Sequence, residues 1–509
     1  MSDETTPILV GVGQVTDRQR ALEELPGPVG LMQWAAEQAF DEAKIDRRRA
    51  AELDTVVVIR GFRESTPNSP ASLARRLGAD RARGWLMPNG GNGPQYLVNR
   101  YAEAIARGEN RFVLLAGAEA RDSVRRLKKA GRPIDWSEPP DTEAGYLIPE
   151  PEMQSGYERA HGVFLAAHVY PLFENAYRHR LGRTIDEHQL EMGRLFARFS
   201  EVAAETPGAW FPVRRSAEEI ATPSDANRFV GWPYTKFMNA MNNVDQSAAI
   251  LMTSVGHARE LGVPEDRFVY LHGCADTNEA MFVTDRPNFH ESPAIRTLGR
   301  ESLSMAGRSI DEIAHFDLYS CFPSAVEIAR DELGIPEGDP RPLTVTGGLP
   351  YHGGAGNNYV MNAIVTMVQK LRAVPGDFGM VTANGGYLTK HAAGIYSTAP
   401  SPSLDGAGWA RRDPAEYQAE IDALAHPPVI REAEGDAVIE TYTVAYGRTG
   451  EPEAGILIGR MGDIDDLSAP RFVANTPADP DLLAAMTRED FVGRRGRVAN
   501  TGKRNILRF

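Results

Sequence analysis

Cysteine is nearly absent: Cys274 and Cys321 are the only two in 509 residues. Two thiols cannot build a disulfide scaffold for a chain of this size, nor a cysteine-based zinc framework, and their scarcity points to a reducing cytoplasm. Positive charge is also in deficit. Lys and Arg number 55 against 69 Asp and Glu, a formal net charge of −14, which argues against nucleic acid or an anionic membrane as the main partner. No stretch of about 18 apolar residues occurs, so no segment is expected to span a bilayer. The start, residues 1–7, is polar and acidic and lacks the charged-then-apolar pattern of an export signal. The rest of the composition is ordinary, with 42% hydrophobic and 24% charged residues. It predicts a globular protein of two to four domains.

Against that background one pattern stands out because it occurs twice. Gly90-Gly91-Asn92-Gly93-Pro94-Gln95-Tyr96-Leu97-Val98-Asn99 reads G-G-x-G-x-x-Y-x-x-N, and the pattern returns from Gly353 through Gly356 and Tyr359 to Asn362. Each copy runs into a helix-like stretch and then an apolar strand, at 111–120 and 377–386. Two glycine-rich turns that open helices predict a duplicated α/β core. One active site between the halves would then face two helix N-termini, which favour negative charge.

The flanking segments agree. A strand is expected at 8–13, followed by an amphipathic helix at 30–45 with Met32, Ala35, Ala36, Ala39, Phe40 and Ala43 on one face. The β-branched run 54–59, a helix at 95–107 and a strand at 112–117 extend a parallel or mixed sheet covered on both faces. From Arg121 to about Lys236 the rhythm breaks, with Pro139-Pro140, Pro149, Pro151 and Pro207 around helices such as 186–204. This reads as a helical insertion. The βα alternation resumes at 244–261, 267–271, 309–328 and 355–371 and closes with a strand at 378–383. After Pro400, Pro402 and Gly406 come strands at 437–446, 455–461 and 471–474, a small barrel or sandwich. The basic clusters Arg494-Arg495-Gly496-Arg497 and Lys503-Arg504 are expected to be solvated. The predicted domains are 1–120, 121–243, 244–400 and 401–509.

Over residues 7–400 the motifs, taken in order, resemble the thiolase superfamily, in particular the sterol-carrier-protein-type thiolases and their thiolase-like relatives. The likeness rests on Gly11-Val12-Gly13-Gln14, the segment 239–245, Asp317-Leu318-Tyr319-Ser320-Cys321-Phe322, Gly347-Gly348-Leu349-Pro350-Tyr351-His352-Gly353 and Ala383-Asn384-Gly385-Gly386. It implies a five-layer α/β/α/β/α core, a helical loop domain and, beyond it, a C-terminal β-barrel-like (OB-like) domain. It also implies acetyl-CoA acetyltransferase-type chemistry on acyl-coenzyme A thioesters, with relevance to lipid metabolism. Thiolases usually dimerise through the core, and the added tail leaves monomer and homodimer both open.

Carried over residue by residue, the family's nucleophilic cysteine falls on Gly90, so no acyl-enzyme can form there. Cys321 falls on the acid/base cysteine, His352 on the activating histidine, and Tyr319 on the residue holding the oxyanion-hole water. Tyr351 is a further phenol beside His352. Backbone N–H groups of Gly90, Gly385 and Gly386 remain candidates for an oxyanion hole, which needs no side chain. Asn92, Met241 and Asn384 are expected to contact substrate. His272-Gly273-Cys274-Ala275-Asp276 holds too few ligands for a metal and reads as a buried strand. No metal site and no covalently bound cofactor are expected. The readings are C–C bond cleavage or formation on a coenzyme A thioester, of retro-aldol or Claisen-like type, or a non-catalytic acyl-CoA or lipid binder. A thiolase whose thiol has migrated to Cys274 is a third, weaker reading.

Overall fold

The computed structural model describes residues 4–63, 66–400 and 408–509. The first three residues of the acidic start, and Pro402 and Gly406 at the break into the tail, lie outside the described residues.

The strands in chain order are β1 (Pro7–Thr16), β2 (Thr55–Ile59), β3 (Arg83–Met87), β4 (Phe112–Ala120), the short β5 (Phe229–Gly231) and β6 (Tyr234–Thr235), β7 (Asp245–Ser254), β8 (Val269–Asn278), β9 (His315–Asp317), β10 (Gly379–Gly385) and β11 (Lys390–Ser397). The tail adds β12 (Gly435–Tyr446), β13 (Pro452–Arg460), β14 (Arg471–Asn475), β15 (Arg495–Asn500) and β16 (Asn505–Arg508). Among the described residues these form two sheets. The first has nine strands in the order β3-β2-β4-β7-β1-β8-β11-β10-β9. Its wings mirror each other, with parallel outer pairs β2–β3, β2–β4 and β9–β10 and antiparallel inner pairs. They meet where Ile8 and Leu9 of β1 pair with Tyr270 and Val269 of β8.

The β-branched run of β2 explains the layering. Val56 and Val58 pack with the helix Gly27–Glu42 on one side, and Val57 and Ile59 with the helix Gly93–Ala106 on the other. Both faces of the strand are therefore dry, and each such side chain contributes about 1.5–3 kcal/mol by burial. The two helices opened by the glycine repeats, Gly93–Ala106 and Tyr359–Ala373, touch each other and strands of both wings. The helix Pro293–Ala306 covers β8 and β11. Helix, sheet, paired helices, sheet, helix make the five layers. Two helices begin earlier than their periodicity indicates, at Gly27 and Gly93, because Pro28 and Pro94 sit in first turns where no N–H is required. No helix of the described residues is long and apolar enough to cross a membrane.

In the tail β12 pairs with both β13 and β15, and β14 and β16 complete a closed five-strand barrel. The basic clusters, expected only as a solvated face, flank and enter the closing strands. Val498 and Leu507 point inward while Arg495, Arg497 and Arg508 stay exposed. Arg471, fully buried, donates to Glu440 of the barrel and to the carbonyl of Thr284 in the core at 2.8 Å, fastening one body to the other. The inserted segment joins the same sheet through Gly231, which pairs with Ala445. It also caps the outer edge of β3: Leu86 N donates to Gly145 O and Leu147 N to Leu86 O, both at 2.9 Å. The insertion, rather than the tail, covers that edge of the core sheet.

Candidate active site

The first repeat turns at Gly90 with φ +152°, a conformation that side chains rarely adopt. A Cβ at this position would stand 2.5 Å from Asn92 Oδ1 and 2.7 Å from Lys390 Nζ. The space that a side chain at position 90 would need is thus filled by other groups. Lys390, at the start of β11, is only 8% exposed and donates to the Asn89 carbonyl at 2.7 Å. Burial lowers its pKa, opposed by the charge of Glu150. At Gly91 a side chain would overlap the Tyr319 hydroxyl and the Asn384 carbonyl. Lys390 was not foreseen from the sequence: it opens a mixed run, Lys-His-Ala-Ala-Gly-Ile-Tyr-Ser, with no motif around it.

A cavity of about 580 Å³ opens beside these glycines. Gly90, Gly385, Gly386, Met241 and Asn384 line it, as do Tyr319 and Cys321. The last two are brought together by Asp317 at the end of β9. The buried Asp317 carboxylate accepts from Thr344 Oγ1 and Tyr359 Oη at 2.9 Å and from Val345 N at 3.0 Å. The extended residues that follow place positions i and i+2, Tyr319 and Cys321, on one side. Burial pushes the Cys321 thiol up to about 12, and burial together with the nearby Cys321 holds the Tyr319 phenol well above its usual value. Both therefore carry their protons at neutral pH.

Tyr170, from the inserted helix Ala166–Arg180, completes the wall. Its hydroxyl accepts from Asn384 Nδ2 at 2.8 Å, donates to the Gly386 carbonyl at 3.2 Å and lies in hydrogen-bonding contact with Cys321. Its ring stacks on Phe322 at 4.5 Å. Nothing in its sequence neighbourhood marks it, because its role comes only from the docking of the insertion.

Several expectations need correction. The Gly90 N–H already donates to Asn357 Oδ1 of the second repeat at 3.1 Å, so it is not free for an oxyanion. Asn92 does not line the cavity. It is buried at the helix start, and its Oδ1, which has no hydrogen-bond partner among the described residues, lies against Gly90 and Gly385. Tyr351 is also away from the cavity, donating to the Phe237 carbonyl at 3.1 Å with its ring edge-on to Phe196. His352 is fully buried beside Tyr359 and Gly208, and burial brings its pKa down to about 4. The physical reason is the short spacing after Gly347. It leaves Gly348–Tyr351 helical with His352 as the cap, so the ring turns into the core while its carbonyl accepts from Trp210 N at 2.7 Å.

Cys274 lies in β8, paired with Gly394, and burial pushes its thiol up to about 12. It does not line the cavity. Asp276 on the same strand accepts from Asn99 Nδ2 at 2.9 Å and from Arg411. This strand is structural, which removes the migrated-thiol reading.

A duplicated α/β core and a barrel fused after its second half define a thiolase-like protein with an added C-terminal domain. A family described as the thiolase-like protein type 1 additional C-terminal domain matches residues 416–503. Among solved structures, the monomeric SCP2-thiolase-like protein type 1 from Mycobacterium smegmatis is 39% identical over 100% of both chains, with a TM-score of 0.85. The chain belongs to this family, the SCP2-thiolase-like proteins of type 1. Two more distant structures share the fold alone. The Ltp2-ChsH2(DUF35) aldolase has 19% identity, covering 78% of this chain and 99% of its own, with a TM-score of 0.59. The acetyl-CoA acetyltransferase of Syntrophomonas wolfei has 15% identity, covering 77% and 99%, with a TM-score of 0.55. No curated protein sequence matches.

Proposed function

We propose that the cavity takes an acyl-coenzyme A thioester and breaks or makes a carbon–carbon bond beside its carbonyl without an acyl-enzyme. The observation that carries this reading is the exchange at position 90. Where the thiol would stand there is a partly buried amine, Lys390, and the cavity beside it presents protonated donors, Tyr319 and Cys321.

In the retro-aldol direction a β-hydroxyacyl thioester lies with its thioester oxygen toward Tyr319. The amine of Lys390, which stands beside Gly90 of the cavity wall and whose pKa burial lowers, is the proposed acceptor of the β-hydroxyl proton. The Cα–Cβ bond breaks, an aldehyde or ketone leaves, and the electron pair forms the thioester enolate. Tyr319 donates a hydrogen bond to the enolate oxygen, in a low-dielectric setting where such a bond counts most. Cys321 gives its proton to Cα, and the proton held by Lys390 returns to the Cys321 thiolate. No covalently bound cofactor is required. The choice of reaction also draws on the kinship of fold with an aldolase and an acetyltransferase, and fold does not by itself fix chemistry.

One observation favours a second reading, an acyl-CoA binder without turnover: the Gly90 N–H, a candidate oxyanion-hole donor, is already engaged by Asn357. Calorimetry with coenzyme A and with β-hydroxy- and β-ketoacyl-CoAs, followed by mass spectrometry of each mixture, separates the two. Binding with a shortened thioester supports the lyase reading. Binding alone supports the carrier, and absence of binding rejects both.

A further inference from the structure

Away from the cavity, three helices converge on a second cluster of reactive side chains. Ala166–Arg180 brings Glu174, Ile185–Glu205 brings His188 and Pro323–Glu332 brings Glu327, with exposures of 0%, 1% and 2%. One potential ligand atom from each lies within 4.8 Å of the other two. Glu174 Oε1 and His188 Nε2 stand 2.5 Å apart, and the Tyr234 hydroxyl donates to Glu174 Oε2 at 2.6 Å. Glu327 Oε2 is buried with no donor of another kind beside it, its carboxyl group facing that of Glu174, and His188 Nδ1 is buried without a partner among the described residues.

We propose that Glu174, His188 and Glu327 bind one divalent first-row transition cation, best matched by Zn2+. Two carboxylates facing each other out of water repel, and a buried acceptor without a donor is costly. The nearby buried cations do not resolve this. Arg178 directs its Nη atoms to Asp490 and the Arg183 carbonyl, and Arg330 directs its own to Asp331 and the Tyr177 hydroxyl. A dication would neutralise both carboxylates and use the orphaned oxygen. One imidazole and two carboxylates suit Zn2+, which accepts few ligands, whereas Mg2+ demands six oxygens in near-octahedral order and keeps its water. Such a site would form as the insertion docks, coupling metal binding to folding. It would also brace the cavity wall, since Tyr234 stacks on Phe322 at 5.4 Å and Phe322 on Tyr170 at 4.5 Å. The ligands lie on three helices and show no motif spacing, which is why no metal is legible in the sequence. The inference stands independently of the proposed reaction.

The test uses the full chain purified without chelator or histidine tag. Its metal content is measured by plasma mass spectrometry, and chelated protein is titrated with Zn2+ and with Mn2+ by calorimetry and thermal melting. The expected result is one equivalent per chain, a higher melting temperature with Zn2+, and affinity weakened roughly 100-fold or more in Glu327→Gln and His188→Gln. Failure of folded wild-type protein to bind or be stabilised by either ion would overturn the proposal and leave shared protons as the occupant. Unchanged affinity in both variants would overturn it too. Should the variants not fold, the wild-type titration decides alone.

Discussion

In the first glycine repeat, Gly90 and Gly91, both on the cavity wall, make room for Lys390 behind it and for Tyr319 on it. In the second, Gly353, Gly354 and Gly356 make room for Gln246, Asn242 and Glu119; Gln246 donates to the His352 carbonyl of the same loop, and Asn242 lines the cavity. The shared positions do a common job in both copies. Asn99, on the first-half helix, donates to the Ala275 and Ala393 carbonyls and to Asp276 in strands of the second wing. Asn362, on the second-half helix, donates to Gln14 and Ser247 in strands of the first. The repeated letters thus record a packing need, and the chemistry sits where the copies differ. Pro94 corresponds to Asn357, whose side chain reaches across to take the Gly90 N–H.

Five substitutions break or sharpen this comparison. The largest effect is expected from Lys390→Met, which removes the amine beside Gly90: turnover should fall about 10³-fold with coenzyme A affinity nearly unchanged, measured by kcat and calorimetry. Next comes the pair of stitching asparagines. Asn99→Ala strands several buried partners and should cost about 3–4 kcal/mol in urea unfolding, while Asn362→Ala, with fewer and longer bonds, should cost about 1–2 kcal/mol. Equal losses would argue that the two helices are anchored alike.

His352, beside the second repeat, should behave as a structural residue. Its folded pKa of about 4 lies below the unfolded value of 6.5, so between these pH values the unfolded chain binds the extra proton. Stability therefore rises with pH across this window, and acidification from pH 6.5 to 4 should remove about 3 kcal/mol from this residue. His352→Gln should flatten that part of the stability profile, followed by denaturant unfolding at each pH, and leave turnover within about threefold. The smallest effect concerns position 90. Gly90→Cys forces a side chain onto a φ of +152° against Asn92 and Lys390 and should cost about 1–3 kcal/mol. Intact-protein mass spectrometry with acyl-CoA should still find no acylated thiol.

Much of the core was readable because burial follows period: the alternation in β2 and the glycine turns before the two central helices leave few other arrangements. Tyr319 and Cys321 were legible through the resemblance alone, and their common side follows from lying two residues apart on an extended segment. Tyr170 and Lys390 were not, because tertiary docking alone brings the first into the cavity wall and the second beside Gly90. The direction of His352 depended on the length of one loop, which no residue type reveals. The closing strands β15 and β16 were hidden by the arginines that alternate with their inward-facing residues.

The central claim is C–C chemistry on a thioester with no acyl-enzyme, and its most direct test is a rapid-quench incubation with β-hydroxyacyl-CoAs in which protein and small molecules are weighed together. The expected result is a shortened acyl-CoA and a carbonyl product, with the protein mass unchanged at every quench time. An acyl adduct on Cys321 or Lys390, or bound thioester that is never cleaved, would contradict it.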